Sequence, residues 1–416
     1  MLMISGVLSG VNYTIISGRV PLKLSVGDFA IAFLVFLYTF IVRKKIYYAI
    51  RGNSSLFMLG LLFITLSLVT SILYNDLWLV SIKFCIKICL LFSVLVYMYQ
   101  VSIVTKNTLA ALCFIVIFLN IIGLVEFFAP ERLKGFLLLL KDQENLVMLK
   151  HTRVGSLLIN PNIFGVFNAM IILVIMHLCY GGRVYINNYL YGSTLLCSAV
   201  GVILSGSMNA GLTLFIGIII LLYVTASENK VAFKKILLGC VVLSMLVFGA
   251  IKHNGSFASS VGRDFPFATK VYTKQPINIT DLIPTFHSHE RVVIWKEGFQ
   301  QFKEHPIFGV GANQFVFRNR VMPGFHMHNI FGEILVNHGL TGFSIFIVLI
   351  GIWFLHAKSL WQVGLVITIL ISHMLDCFVT HSIVWVIFVP WLIVITTKNT
   401  DEMFVSAQSN PVTDNS

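Results

Sequence analysis

The residues best suited to chemistry lie at 326–342, HMHNIFGEILVNHGLTG. Three histidines, His326, His328 and His338, fall where the longest polar segment of an otherwise apolar chain gives way to an apolar run. An imidazole takes up and releases protons near neutral pH. Asn329 follows His328, and nine residues later come Gly339, Leu340, Thr341 and Gly342. This pattern predicts a short helix that ends in glycines and holds a His-Asn pair just outside a bilayer, a suitable place for chemistry on a lipid-linked substrate. Glu333 lies on the same predicted helix, where it either orients a histidine or sits on a solvated face. The histidine spacing matches no common zinc pattern, so no metal is expected.

A second cluster is 290–315, ERVVIWKEGFQQFKEHPIFGVGANQF. Val292, Val293, Trp295, Phe299 and Phe302 give it an amphipathic helical pattern. His305-Pro306 should end that helix, and Gly309-Val310-Gly311 should turn the chain. Two readings of Arg291 stay open. It faces lipid headgroups from an interfacial helix, or its guanidinium fork holds a diphosphate. A third cluster is 151–164, HTRVGSLLINPNIF. Arg153 is either a headgroup anchor or a second phosphate ligand, and Asn160-Pro161-Asn162 starts a helix. Lys83 and Lys87 sit one helical turn apart inside an apolar run, where charge is costly and often functional. Asp28, Glu126 and Asp376 fall near outer span ends, where solvation is the simpler expectation.

The elements that must position these residues are membrane helices. Of the 416 residues, 57% are hydrophobic and 11% charged, with a mean hydropathy of +0.89. Apolar runs of about 18 residues or more recur along the chain, which is the signature of a polytopic helical protein. The runs are continuous rather than alternating, which excludes a β-barrel. Spans are expected at 2–18, 24–42, 56–74, 77–99, 108–128, 163–180, 185–205, 208–225, 233–251, 339–356, 360–375 and 382–397. These make an all-α domain of about twelve transmembrane helices over 1–398, with a polar loop at 252–338 inserted in it and a disordered polar tail at 399–416. Residues 2–18 lack a basic flank and do not resemble a cleavable signal.

Charge orients the bundle. The net charge is +12, but the basic residues lie in loops between apolar runs, so membrane topology explains them and nucleic acid is not an expected partner. Arg43, Lys44, Lys45, Arg51, Lys106, Arg183, Lys230, Lys234, Lys235, Lys358 and Lys398 fall in alternate loops, and the opposite short loops near 75, 207 and 378 have no Lys or Arg. Only Arg19 and Lys23 break the alternation. Both termini are therefore expected in the cytoplasm, and the long segments 129–162 and 252–338 outside. The seven cysteines follow neither a zinc nor a disulfide pattern and read as small apolar residues.

Taken in order, the motifs resemble a family. They are Arg-x-Gly and then Asn-Pro-Asn before a span; Glu-Arg and Trp in a polar outer loop; His-Pro-x-x-Gly-x-Gly; and His-Asn with nine residues to Gly-x-x-Gly. The chain is similar to the O-antigen ligases and O-antigen polymerases (Wzy-type) of bacterial surface-polysaccharide assembly, by motif over about 150–345 and by hydropathy throughout. The resemblance implies an inner-membrane glycosyltransferase of C-type architecture with a periplasmic site and no nucleotide sugar, metal or other cofactor. The donor would be a glycan on undecaprenyl diphosphate, and membrane lipids and a chain-length regulator would be further partners. Arg291 and Arg153 would bind the diphosphate and His328 would sit at the reaction centre, with Asn329, His326, Glu333, Lys83 and Lys87 as further substrate-binding candidates. One departure stands out: Ser207-Met208-Asn209 occupies a place where relatives often carry Ser-Arg-Gly. That favours a polymerase over a ligase, with Lys83 or Lys87 sharing the phosphate. A lipid-oligosaccharide transporter is the competing class, but the chain lacks the paired halves of one.

Overall fold

The computed structural model describes residues 12–16, 22–25, 54–73, 106–129, 154–158, 160–180, 188–228, 266–276, 288–356 and 360–375, with isolated positions within 81–85 and 234–252. Its elements are β1 (Asn12–Ile16), β2 (Leu22–Ser25), α1 (Ser54–Leu73), α2 (Lys106–Phe128), a 3-10 turn (Ser156–Leu158), α3 (Pro161–Tyr180), α4 (Asn188–Ser205) and α5 (Met208–Glu228). There follow α6 (Pro266–Thr273), α7 (Ser288–Glu304), α8 (Phe315–Arg318), α9 (Ile330–His356) and α10 (Leu360–Leu375). The expected spans at 56–74, 108–128, 163–180, 185–205, 208–225 and 360–375 coincide with helices within a few residues.

Among the described residues, four helices are long and apolar enough to cross a membrane: Leu109–Phe128, Asn188–Ser205, Met208–Ala226 and Ile330–Ile352. Leu61–Thr70, Pro161–His177 and Leu360–Met374 are apolar but shorter. The expected spans at 24–42 and 382–397, most of 77–99 and of 233–251, and the tail at 399–416 lie outside the described residues. The span expected at 2–18 is corrected: Asn12–Ile16 pairs antiparallel with Leu22–Ser25, with an irregularity between Thr14 and Ile16. Alternating Tyr13-Thr14-Ile15 and Leu22-Lys23-Leu24 has the period of a strand rather than of a helix.

Helices α2, α3, α4, α5 and α10 form one bundle, with α3 at its centre. Phe164, Met170, Ile171, Leu173 and Ile175 of α3 are fully buried. On α2 the exposed residues Phe114, Phe118, Ile121, Val125 and Phe128 run along one side. A helix apolar on both its packed and its exposed side suits a lipid surround. Polar side chains join the helices inside: Asn120 Nδ2 donates to Asn168 Oδ1 at 2.8 Å, and Asn209 Nδ2 donates to the Ser372 carbonyl at 2.9 Å. Gly201 lets α4 reach the asparagine pair, since a Cβ there would collide with both amides.

Capping follows the sequence closely. Asn160 Oδ1 accepts the Asn162 N–H at 2.8 Å, and Pro161 occupies the first turn, where it has no N–H to waste. Gly206 (φ +53°) ends α4, and Ser207 Oγ accepts the Ala210 N–H to open α5. Glu126 is corrected. It is buried, not solvated, and Oε2 accepts the N–H of Ser156 at 2.7 Å, which ties the 154–158 segment to the end of α2.

Candidate active site at the break in α9

Gly339 (φ 62°, ψ −168°) divides α9 into Ile330–His338 and an apolar half from Leu340 onward. A break strands carbonyls on one side and N–H groups on the other. The loop after α7 fills both sets. Val310 and Gly311 N–H donate to the Val336 and Asn337 carbonyls at 2.9 Å each. Leu340 and Thr341 N–H donate to the Pro306 and Ile307 carbonyls at 2.9 and 3.1 Å. The loop thus threads the gap. Gly309 has φ +71°, and a Cβ on it would strike the Asn337 backbone; a Cβ on Gly339 would strike the Ile307 carbonyl. The His-Pro-x-x-Gly-x-Gly and Gly-x-x-Gly motifs are therefore the two sides of one backbone lock.

The lock holds the turn that carries His328. Glu333, 2% exposed, accepts the Met327 N–H on Oε2 at 2.9 Å. Its Oε1 meets His326 Nδ1 at 3.2 Å and accepts from Asn337 Nδ2 at 3.2 Å. Asn337 Oδ1 in turn accepts the Phe315 N–H at 2.9 Å. Asn329 caps the helix, its Oδ1 accepting the Phe331 and Gly332 N–H groups at 2.9 and 3.1 Å. Between these fixed points His328 is half-buried with φ +52°, a left-handed conformation that costs a non-glycine residue about 1–2 kcal/mol. Such strain persists only where neighbours impose it, and here Met327 and Asn329 pin both sides.

Helix α7 docks on the same turn. Ile294 packs with Val310, Phe315, Met327 and Val336, and Gly298 lies against Met327. Trp295 Nε1 donates to the Met327 carbonyl at 2.7 Å, on the residue next to His328. Arg291 is half-buried one helical turn before Trp295, about 6 Å along the axis. Gln301 Nε2 holds the α8 end through the Arg318 carbonyl at 2.8 Å. On the outer side Arg320 meets Glu304 at 3.0 Å and Glu297 at 3.7 Å, and its hydrogen bond holds the Glu304 carboxyl below the usual carboxylate range.

Burial refines two readings. Val292, Trp295 and Phe299 belong to the amphipathic pattern of α7. They are 40%, 41% and 56% exposed, while Ile294, Gly298 and Gln301 are the buried face. Of the two readings of Glu333, its burial and its contact with His326 favour the one that orients a histidine over a solvated face, and its carboxylate organises the turn. The three histidines also part company. His326 and His328 belong to the turn, whereas His338 is built into the packing of α1 and α9. His338 Nδ1 is 3.1 Å from Ser67 Oγ, and its ring lies 4.8 Å from Phe63 and 5.6 Å from Phe84. Arg153, Lys83 and Lys87 lie outside the described residues. At the departure from the family pattern, Ser207 and Asn209 serve packing: a helix cap and a bond to α10. Asn337 was not singled out from sequence, and Trp295 was read only as part of the amphipathic pattern and of the Glu-Arg and Trp motif; the amide beside His338 and the indole N–H are the signals that could have given their roles. Among the described residues no group of three or more His, Cys, Asp or Glu side chains converges on a metal position.

Residues 193–347 match the family described as O-antigen ligase. The match takes in α4, α5, α7, α8 and the break in α9, and so the backbone lock, Arg291, Trp295, His326, His328, Asn329 and Glu333. No curated protein matches the chain. Over residues 193–347, which are less than half of its 416 residues, the chain is similar to the O-antigen ligase family.

Proposed function

We propose that the protein is an O-antigen polymerase of the bacterial inner membrane. It transfers a glycan from undecaprenyl diphosphate onto another lipid-linked repeat unit at the periplasmic face. The observation that carries this reading is the pinned turn: Trp295 ties the helix bearing Arg291 to Met327, the residue beside His328, just before α9. A cation on the helix that docks beside an imidazole would suit a substrate with a pyrophosphate head and a lipid tail.

In the proposed reaction the acceptor hydroxyl attacks the anomeric carbon of the donor sugar. The C–O bond to the diphosphate breaks as the new glycosidic bond forms, with inversion. His328 takes the hydroxyl proton. Arg291 and Arg153 stabilise the negative charge that grows on the departing undecaprenyl diphosphate. Both residues of the His326–Glu333 pair act by position, because the carboxylate oxygens are already engaged by the turn. Lys83 and Lys87 would add cationic charge near the phosphate. Both termini are cytoplasmic in this reading, and a chain-length regulator is a further partner.

A ligase that moves the glycan to lipid A-core is the second reading, favoured by the description of the matching family. The polymerase reading is preferred because Met208 stands where a ligase-like arginine is expected. The lipopolysaccharide ladder of a deletion strain separates the two. A single repeat unit on the core supports a polymerase, and a bare core supports a ligase. A full ladder with unchanged chain lengths would remove both.

A further inference from the structure

Helix α7 has three faces, and the site accounts for two of them. Ile294, Gly298 and Gln301 pack on the turn of His328, and Glu297 and Glu304 face Arg320. The third face is Val292, Trp295 and Phe299, which recur on successive turns and stay 40%, 41% and 56% exposed. Lys296 and Lys303 are exposed beside this stripe. At about 100° per residue they fall on the stripe's flank, between it and the acidic face.

The exposed apolar surface does not stop at the end of α7. Ile307 and Phe308 follow, 58% and 41% exposed. The Ile307 carbonyl accepts both the N–H and the Oγ1–H of Thr341, the second residue of the apolar half of α9. Leu340 beside it is 52% exposed, and further along that half-helix Ile347, Val348 and Leu355 are exposed as well. The loop thus carries uncovered apolar side chains from α7 to the start of a membrane-crossing segment.

We infer that this face of α7, with the Ile307–Phe308 turn, lies in the headgroup–acyl boundary of the bilayer, Lys296 and Lys303 meeting the phosphates of anionic lipids. Tryptophan and phenylalanine seat at that boundary, and lysines beside them reach headgroups. The indole of Trp295 suits it further: its N–H is already satisfied by Met327 while its ring stays exposed. A protein partner would cover the same stripe, but continuity with Leu340 and the flanking lysines favour lipid. The inference rests on the proposed function for its meaning: docking α7 on the bilayer sets Arg291 and His328 at the depth of a lipid-linked pyrophosphate.

The test is photocrosslinking in the full-length chain. p-Benzoylphenylalanine replaces Phe299, Gln300 on the polar side, or Phe118 on the exposed side of α2. Each protein is reconstituted in vesicles of phosphatidylethanolamine and phosphatidylglycerol carrying radiolabelled lipid, then irradiated. The expected result is a lipid adduct from positions 299 and 118 and its loss at 300. With both Lys296→Gln and Lys303→Gln, the adduct at 299 should lose its preference for phosphatidylglycerol. No lipid adduct at 299 while 118 gives one, or a protein adduct at 299, would overturn the placement. Should the Phe299 replacement fail to fold, the same probe at Val292 gives the same two outcomes. The readout does not depend on sugar transfer, so its failure and a failure of the glycosyltransferase reading are told apart.

Discussion

Replacing Glu333 with glutamine perturbs the turn of His328 while changing one atom. The carboxylate, almost fully buried, takes the Met327 N–H on one oxygen and Asn337 Nδ2 and His326 Nδ1 on the other. A glutamine offers a single acceptor oxygen. If that oxygen keeps Asn337 and His326, its NH2 group confronts the Met327 N–H, donor against donor. If it keeps Met327, the NH2 group confronts the Asn337 amide. Either way a buried donor is stranded, at about 1–3 kcal/mol, and the charge opposite His326 is gone. That loss is as large as the strain that the turn imposes on His328, about 1–2 kcal/mol, so the residue relaxes out of the left-handed region. At about 1.4 kcal/mol per factor of ten, a loss of about 3 kcal/mol lowers the rate on the order of a hundredfold. The assay is the initial rate of polymer formation by purified Glu333→Gln, with thermal unfolding measured alongside. An unchanged rate in a folded variant would refute the view that the carboxylate positions the turn.

Other variants separate lock from chemistry. His328→Ala and Arg291→Ala should each abolish polymer in cells at normal protein levels, and a normal ladder from either would remove that residue from the site. His338→Ala should instead destabilise by about 2–4 kcal/mol, because it empties a buried site between Phe63 and Phe84; thermal unfolding reads this, and an unchanged midpoint would contradict it. Gly309→Ala and Gly339→Ala should leave little folded protein by size-exclusion chromatography, whereas Gly351→Ala, which meets nothing within 4 Å, should be tolerated. Trp295→Phe removes one hydrogen bond to Met327, about 1 kcal/mol, and should slow polymerisation several-fold without loss of fold; a rate equal to wild type would show that the indole N–H does not position the turn.

The bundle was legible because its signal is long. Apolar runs of membrane length placed α1–α5 and α10 within a few residues, and Asn160-Pro161 and Gly206-Ser207 marked helix boundaries with local chemistry. The first span was misread because a run of mixed apolar and polar residues near the N-terminus satisfies a hydropathy window while alternating like a strand. In the candidate site, His326, His328, Asn329 and Glu333 were singled out by type and spacing, but their separate hydrogen-bond partners were not. Whether a carboxylate faces solvent or a backbone N–H depends on a turn held by the 306–311 loop, whose bonds to α9 join residues 26 to 34 positions apart, and periodicity does not encode that. The same holds for α7. Its apolar residues were recognised, yet the face that packs uses Gly298 and Gln301, which no hydrophobic pattern selects. Glu126 was misjudged for a related reason: the segment that buries it is far along the chain.

In the proposed function Arg291 and His328 act on a lipid-linked glycan. The decisive experiment supplies reconstituted protein with an undecaprenyl-diphosphate-linked repeat unit and measures release of undecaprenyl diphosphate alongside product length. The wild type should give longer lipid-linked glycan and one undecaprenyl diphosphate released per linkage, and His328→Ala and Arg291→Ala should give neither. Release and elongation by those variants at the wild-type rate, or a wild type that leaves the lipid-linked unit untouched, would contradict it.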